Sequence, residues 1–229
     1  MAIFSVTATP IGNLEDITLR ALSVLRGADL ILCEDTRMTK RLLDRHDIYV
    51  PTKSYHTHSK LSRKEEIVGL LKEGKNLALV SDAGTPGISD PGIELVKYIR
   101  QELVAEISGG SVKIEAIPGP SALTTAISIS GVPCADFTFL GFLPHKKGRE
   151  TLFKEIAISE RTMIFYESPH RIIKTLESLI EHVPSKKVTV CRELTKMFEE
   201  VVSGSALEVK EYFDKNTDKV RGEFVVIVS

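Results

Sequence analysis

Residues Leu79–Gly92 read LVSDAGTPGISDPG, a stiff polar turn behind a short apolar run, in which two aspartates and two prolines stand among glycines. Gly and Pro fix the backbone and keep side chains out of the way, so such a turn offers backbone groups to a ligand at close range. Three other turns share this character: TPIGNLEDIT behind the first apolar run, IPGPSA behind VKIEA, and ESPHR behind MIFY. A further motif, CEDTR, closes a second apolar run and should hold Glu34, Asp35 and Arg37 rigidly at its carboxyl end. Two carboxylates beside a guanidinium mark a candidate functional site, and the same trio also makes an ordinary structural ion pair.

The common catalytic and nucleotide signatures are absent. There is no G-x-x-x-x-G-K-[ST] loop and no G-x-G-x-x-G opening a helix, and the prolines of GTPGISDPG obstruct a phosphate nest. No G-x-S-x-G elbow occurs; Ser121 of GPSAL is placed to cap the helix that follows. His56 and His58 of YHTHSK would share one face of a strand, but no third metal ligand is placed by sequence, so no metal is expected. Cys33, Cys134 and Cys191 are odd in number and widely spaced, which indicates neither a disulfide framework nor a zinc site.

Short β-branched runs alternate with amphipathic stretches, the pattern of α/β layers. AIFSVTA, DLILCE, NLALVS and VKIEAI read as strands of a first half, and DFTFLGFL, TMIFYE, KKVTVCRE and GEFVVIVS as strands of a second. TLRALSVLRGA reads as a helix capped by Thr18 and lined on one face by Leu19, Leu22 and Leu25, and SRKEEIVGLLKEG as a helix stopped at Gly74. Two α/β domains are expected, 1–117 and 118–229, joined near Pro118–Pro120. Ligands of open α/β sheets collect outside the carboxyl ends of strands, where the four turns lie.

The 229 residues carry a net charge of −1, which argues against a chain coated in nucleic acid. The charge is uneven, however: Arg37 to Lys64 holds eight Lys or Arg against two Asp, together with His46, His56 and His58. No apolar run reaches the roughly 20 residues of a membrane span, and the first residues lack a secretory pattern, so a cytoplasmic location and no membrane partner are expected.

Taken in order, VTATPIGNLEDIT, CEDTR, ALVSDAGTPGISDPG, PGPSALTTAISISG, GFLP, FYESPHRI and CRELTK resemble the ribosomal RNA 2′-O-methyltransferases of the tetrapyrrole methylase superfamily, from the first strand to GEFVVIV. The resemblance implies two α/β domains of the class III methyltransferase type, with S-adenosylmethionine in the cleft between domains. It also implies a homodimer and a 16S rRNA substrate, methylated at a cytidine ribose of the decoding region. The turn at Ser81-Asp82 then corresponds to the superfamily's Gly-Asp-Pro cofactor loop, with Ala83 where many relatives have proline. By the same analogy Pro10, Asp82, Ile88, Ser121, Ala122, Tyr166 and Leu194 contact the cofactor. Asp90 is expected to be a helix N-cap.

Methyl transfer to a ribose hydroxyl needs a group that takes the departing proton or steadies the alkoxide. Glu34, Asp35, Glu167 and His170 are the candidates, with Arg37 and Arg171 as electrostatic partners; Glu167 and Arg171 are also spaced as an ordinary helix pair. RNA contacts are expected from Lys40, Arg41 and His56 in the basic segment and from His145, Lys146, Lys147 and Arg149 in GFLPHKKGRE, with Phe142 nearby. The low net charge makes the assembled 30S subunit the expected substrate over naked RNA. A tetrapyrrole C-methyltransferase and a non-catalytic RNA-binding relative are the competing readings; the basic segments disfavour the first and the intact cofactor turns the second.

Overall fold

The computed structural model describes residues 1–56, 61–90 and 92–229. The chain divides into two compact units, Met1–Ser121 and Ala122–Ser229.

The first unit runs β1 (Ala2–Thr7), α1 (Leu19–Gly27), β2 (Leu30–Cys33), α2 (Thr36–Arg45), β3 (Thr52–Ser54), α3 (Leu61–Lys72), β4 (Leu77–Leu79), α4 (Gly92–Glu102), α5 (Val104–Ser108) and β5 (Val112–Ile117). Its sheet has the order β3-β2-β4-β1-β5, and every neighbouring pair is parallel. Parallel strands covered on both faces read as unbroken apolar runs, as LILC and LAL do here. The two-residue period then sorts them. Leu32, Leu77 and Leu79 pack with Leu71 of α3 and Leu95 and Ile99 of α4, whereas Ile31, Cys33 and Ala78 pack with Leu25 of α1 and Leu43 of α2.

Helix α1 opens as expected, the Thr18 hydroxyl accepting the Ala21 N–H at 3.0 Å. Its buried face differs from the expected one: Ala21 and Leu25 are enclosed, while Leu19 is 86 % exposed. Leu19 is the first residue of the helix, before the turn that meets the sheet, so its spacing from Leu22 carries no burial. Helix α3 ends in a Schellman motif around Gly74 at φ +86°, with Lys75 N–H on Leu70 O and Gly74 N–H on Leu71 O. β3 stops at Ser54, so His56 lies beyond the strand that was to align it with His58, and His58 lies outside the described residues.

The second unit runs α6 (Ala122–Ser130), β6 (Phe137–Phe142), α7 (Arg149–Ile158), β7 (Thr162–Glu167), α8 (Ile172–His182), β8 (Lys187–Arg192), β9 (Glu200–Ser205), α9 (Ala206–Lys215) and β10 (Phe224–Val228). The sheet order is β6-β7-β10-β8-β9, with β6 and β7 parallel and β10 antiparallel to both β7 and β8. The carboxyl ends of β6, β7 and β8 therefore share one edge. One face buries Phe165, Val188, Val190 and Val226 under Phe153 of α7, Leu176 and Leu179 of α8, and Val209 and Phe213 of α9. The strands β3 and β9 were missed in the sequence because each is an edge strand, TKS and EVVSGS, without an apolar run.

Candidate active site

The carboxyl edge of the first sheet is knitted backbone to backbone. Thr9, just past β1, exchanges two hydrogen bonds with Gly84 of the β4 turn, N to O at 2.9 and 3.0 Å. The Thr9 hydroxyl donates to Ser81 O at 3.2 Å, and the Thr85 hydroxyl donates to Pro120 O at 3.0 Å. The turns after β1, β4 and β5, which lie on adjacent strands, are thus one structure. Pro10, Ile88 and Ser121 belong to it: Pro10 and Ser121 are buried, and Ile88 is half-buried. Gly84 adopts φ +81°, a left-handed conformation that suits glycine at the point where the β1 turn crosses.

The CEDTR turn after β2 joins them through side chain and backbone together. Asp82 is exposed and its Oδ1 accepts the Asp35 N–H at 2.9 Å, while the Asp82 backbone N–H hydrogen-bonds the Glu34 carboxylate. β2 and β4 are neighbours, so this reciprocal pair links their ends. Burial first, then the charges of Asp82 and Asp90, push the Glu34 carboxyl above its ordinary 4.5. Asp35 goes the other way. Hydrogen bonds from the Arg37 guanidinium at 2.7 and 3.1 Å, and from its backbone N–H at 2.8 Å, hold it down to about 2, and the last of these caps α2. Asp90 acts as a cap in the expected sense, its Oδ1 accepting Gly92 N–H at 2.9 Å and Gly87 N–H at 2.6 Å.

The charges of Asp82 and Asp90 thus act on the half-buried Glu34 carboxyl, and a cationic ligand set against this group relieves that repulsion. The donor chemistry of this edge therefore fits S-adenosylmethionine, whose ammonium and sulfonium are positive and whose ribose hydroxyls suit a carboxylate and open carbonyls. From Arg37, the exposed side chains of Lys40, Arg41 and Arg45 continue along α2 at three- and four-residue spacing, while Thr39, Leu42 and Leu43 turn inward. His56 is exposed.

The second sheet carries the remaining candidates. Ala122 opens α6, and the Tyr166 hydroxyl accepts the Leu123 N–H of that helix at 3.2 Å. Tyr166 also meets Phe139 and Phe142 edge-on, at centroid distances of 4.9 and 5.5 Å. Leu194 is buried and is flanked by two residues in left-handed backbone, Glu193 at φ +50° and Thr195 at φ +65°. Ile88 is likewise followed by Ser89 at φ +65°. Such strain gathers at ligand-contacting turns. Neither the strained residues nor the Thr9–Gly84 bridge was foreseen.

Two expectations need correcting. Glu167 does not stand open as a proton acceptor: its side chain is fully buried, Oε1 taking Arg171 Nε at 2.7 Å and Ser168 N–H at 2.8 Å, and Oε2 taking the Thr175 hydroxyl at 2.7 Å. Arg149 does not extend to a phosphate: its guanidinium turns inward to Thr175 Oγ1 and Pro144 O, stacked 5.1 Å over Phe153. His145, Lys146, Lys147 and His170 are exposed. Among the described residues no group of three His, Cys, Asp or Glu side chains forms a metal site.

The model of the tetrapyrrole (corrin/porphyrin) methylase family matches residues 4–210. Ribosomal RNA small subunit methyltransferase I of Thermotoga maritima is 44% identical over 224 residues, covering 98% of this chain and 96% of that protein. The protein of the same name from Bacillus subtilis is 43% identical over 229 residues, covering 100% of this chain and 75% of that one. Among solved structures, the methyltransferase CobJ (TM-score 0.67, 19% identity, 100% of this chain and 92% of that one) and diphthine synthase (TM-score 0.68, 14%, 100% and 90%) share the fold.

Proposed function

Because the chain belongs to the tetrapyrrole methylase family, and within it to the ribosomal RNA small subunit methyltransferases I, we propose that it methylates the ribose 2′-hydroxyl of a cytidine in 16S rRNA, using S-adenosylmethionine. The observation that carries the reading is the link between neighbouring strand ends, Asp35 N–H to Asp82 Oδ1 and Asp82 N–H to the Glu34 carboxylate, beside a basic helix face. Bound there, S-adenosylmethionine supplies an electrophilic methyl group on a sulfonium.

The remaining work falls to the chain. Asp82, exposed and oriented by the Asp35 N–H, holds a positive or hydroxyl-bearing part of the ligand. Glu34 takes the proton from the 2′-hydroxyl. A general base works best when its pKa approaches the working pH, and of the carboxylates in this region Glu34 is raised while Asp35 is held to about 2. Pro10, Ile88 and Ser121 shape the floor of the same edge. The cofactor roles of Ala122, Tyr166 and Leu194 rest on the resemblance. Arg37, Lys40 and Arg41 on α2, with His145, Lys146 and Lys147, meet the phosphates; His56 and His170 are assigned to the nucleotide on exposure alone.

The reading includes the decoding region of the 30S subunit as substrate, a homodimer and a cytoplasmic location. Among the described residues no helix is long and apolar enough to cross a membrane. With a net charge of −1, affinity for free RNA should be low and steeply salt-dependent.

The test is methyl incorporation from labelled S-adenosylmethionine into 30S subunits, naked 16S rRNA and a porphyrinoid in parallel, with nuclease digestion to locate the label. 2′-O-methylcytidine from the 30S arm is expected. Equal labelling of naked rRNA would overturn the assembled subunit as substrate, and label only in the porphyrinoid would overturn the RNA reading altogether. Light scattering at twice the mass of one chain is the expected result for the dimer.

A further inference from the structure

The basic turn after β6 is fastened at both ends to one buried carboxylate. Arg171 joins Glu167 Oε1 through Nε at 2.7 Å and donates from Nη1 to Leu143 O at 2.8 Å, immediately before the turn. Arg149, immediately after it, donates from Nη1 to Pro144 O at 3.2 Å and from Nη2 to the Thr175 hydroxyl at 2.7 Å, and that hydroxyl donates to Glu167 Oε2 at 2.7 Å. Arg149 Nη2 stands 3.9 Å from the same carboxylate oxygen. Between these anchors the turn closes through Arg149 N–H on Lys146 O and passes through Gly148 at φ +83° into α7. Its side chains His145, Lys146 and Lys147 are all exposed.

Apart from the Ser168 N–H, every polar contact of the Glu167 carboxylate is thus directed at the side chains that hold this turn. A buried charge is tolerated only where it is paired and hydrogen-bonded, and here the pairing joins the β6 exit and the start of α7 to the start of α8. Four backbone and side-chain anchors on a seven-residue stretch leave the lysines little freedom of direction, which is what a site pre-organised for a fixed array of phosphates requires.

We propose that Glu167 is a positioning residue that fixes, through Arg171 and Arg149, the direction in which His145, Lys146 and Lys147 are presented to the RNA phosphates. The proposal rests on the RNA reading given above for that turn, but the fastening itself is tested separately. Glu167→Gln keeps the shape and removes the charge, leaving two arginines without their common partner.

Two measurements on the full chain decide it. In limited trypsin digestion, cleavage after Lys146 and Lys147 should accelerate about 10-fold in Glu167→Gln at temperatures where circular dichroism shows both proteins folded, because local opening now releases the turn. Unchanged cleavage would overturn the fastening. In methyl transfer to 30S subunits, Glu167→Gln should raise KM about 10-fold, with kcat at saturating subunit within about 2-fold and the pH profile of kcat unmoved, whereas loss of a general base lowers kcat by about 100-fold or more. A collapse of kcat at unchanged KM would return Glu167 to the chemistry and overturn the proposal. Should Glu167→Gln fail to fold, Thr175→Val, which cuts the Arg149 arm alone, takes its place with the same expected signs. Lys146→Ala with Lys147→Ala separates the two layers: a KM that this pair leaves unchanged would remove the RNA reading of the turn, whatever the trypsin result.

Discussion

The two sheets hold their strand-end turns by opposite means. In the first unit the turns after β1, β4 and β5 are joined by backbone hydrogen bonds and by the hydroxyls of Thr9 and Thr85. In the second, the exits of β6 and β7 are joined by long ionic side chains that converge on Glu167. The consequence shows in what is left over. In a turn fastened mainly by its own backbone the carboxylates meet single backbone N–H groups and, among the described residues, no cationic side chain, as Asp82 and its neighbour Glu34 do, whereas a turn fastened by carboxylate and guanidinium has those charges already paired and presents only the lysines and histidine between its anchors. Two carboxylates at the ends of strands, Glu34 and Glu167, look alike in sequence and have different surroundings.

That contrast breaks most plainly if Glu34 proves dispensable. Glu34→Gln should lower single-turnover methyl transfer by about 100-fold or more while S-adenosylmethionine binding by calorimetry stays within a few-fold. The pH dependence carries the same information. Glu34 must be ionised to accept a proton and its carboxyl lies above 4.5, so the rate should rise with pH through a value above 4.5. That limb should vanish from the residual rate of the variant.

Asp82→Ala tests the ligand side of the first edge. Removing a charge-assisted partner typically costs about 1.5–3 kcal/mol, or about 10–100-fold in affinity for S-adenosylmethionine. A folded variant with unchanged affinity would remove Asp82 from the site.

The second edge should respond in stability before it responds in binding. Gly222 has φ +79°, and a Cβ there would come within 2.0 Å of Glu193 Oε1, whose carboxylate accepts Lys196 Nζ at 2.8 Å and Glu223 N–H at 3.1 Å. Gly222→Ala should therefore lower stability by about 1–3 kcal/mol in urea denaturation, from backbone strain together with displacement of Glu193. No loss would show that the turn carrying Leu194 is freer than its hydrogen bonds imply.

The smallest effect concerns Asp35. Its carboxyl is held to about 2 against an ordinary 3.8, so the stability it contributes is fully present above 3.8 and is lost as pH falls toward 2. Melting curves of Asp35→Asn should accordingly approach those of the parent protein as pH falls through that window, and a constant gap would assign the difference to the α2 cap alone.

Much of this was legible in the sequence because it depends on local rules. Thr18 and Gly74 bound helices through their own side chain or backbone conformation, and LILC and LAL declare a strand buried on both faces. The turns that carry Asp82 and Ser121 are legible by their Gly, Pro and hydroxyl content, whereas the turn of Leu194 is reached only through the family resemblance. What the chain could not declare was partnership at a distance. The sequence distinguishes neither Leu19 from Leu25 nor Glu34 from Glu167, since burial and charge pairing are set by what the fold brings alongside. Leu19 begins a helix ahead of its contact with the sheet. Glu34 gains its proton affinity from burial first and then from Asp82 and Asp90, which lie on the turn after another strand. Glu167 is neutralised by Arg171, four residues on, and by Arg149 and Thr175, which reach it from two further helices. Residue type and spacing therefore determined the elements and the turns between them, while the tertiary structure alone decided which carboxylate is free to act, because a carboxylate's chemistry is fixed by its neighbours in space.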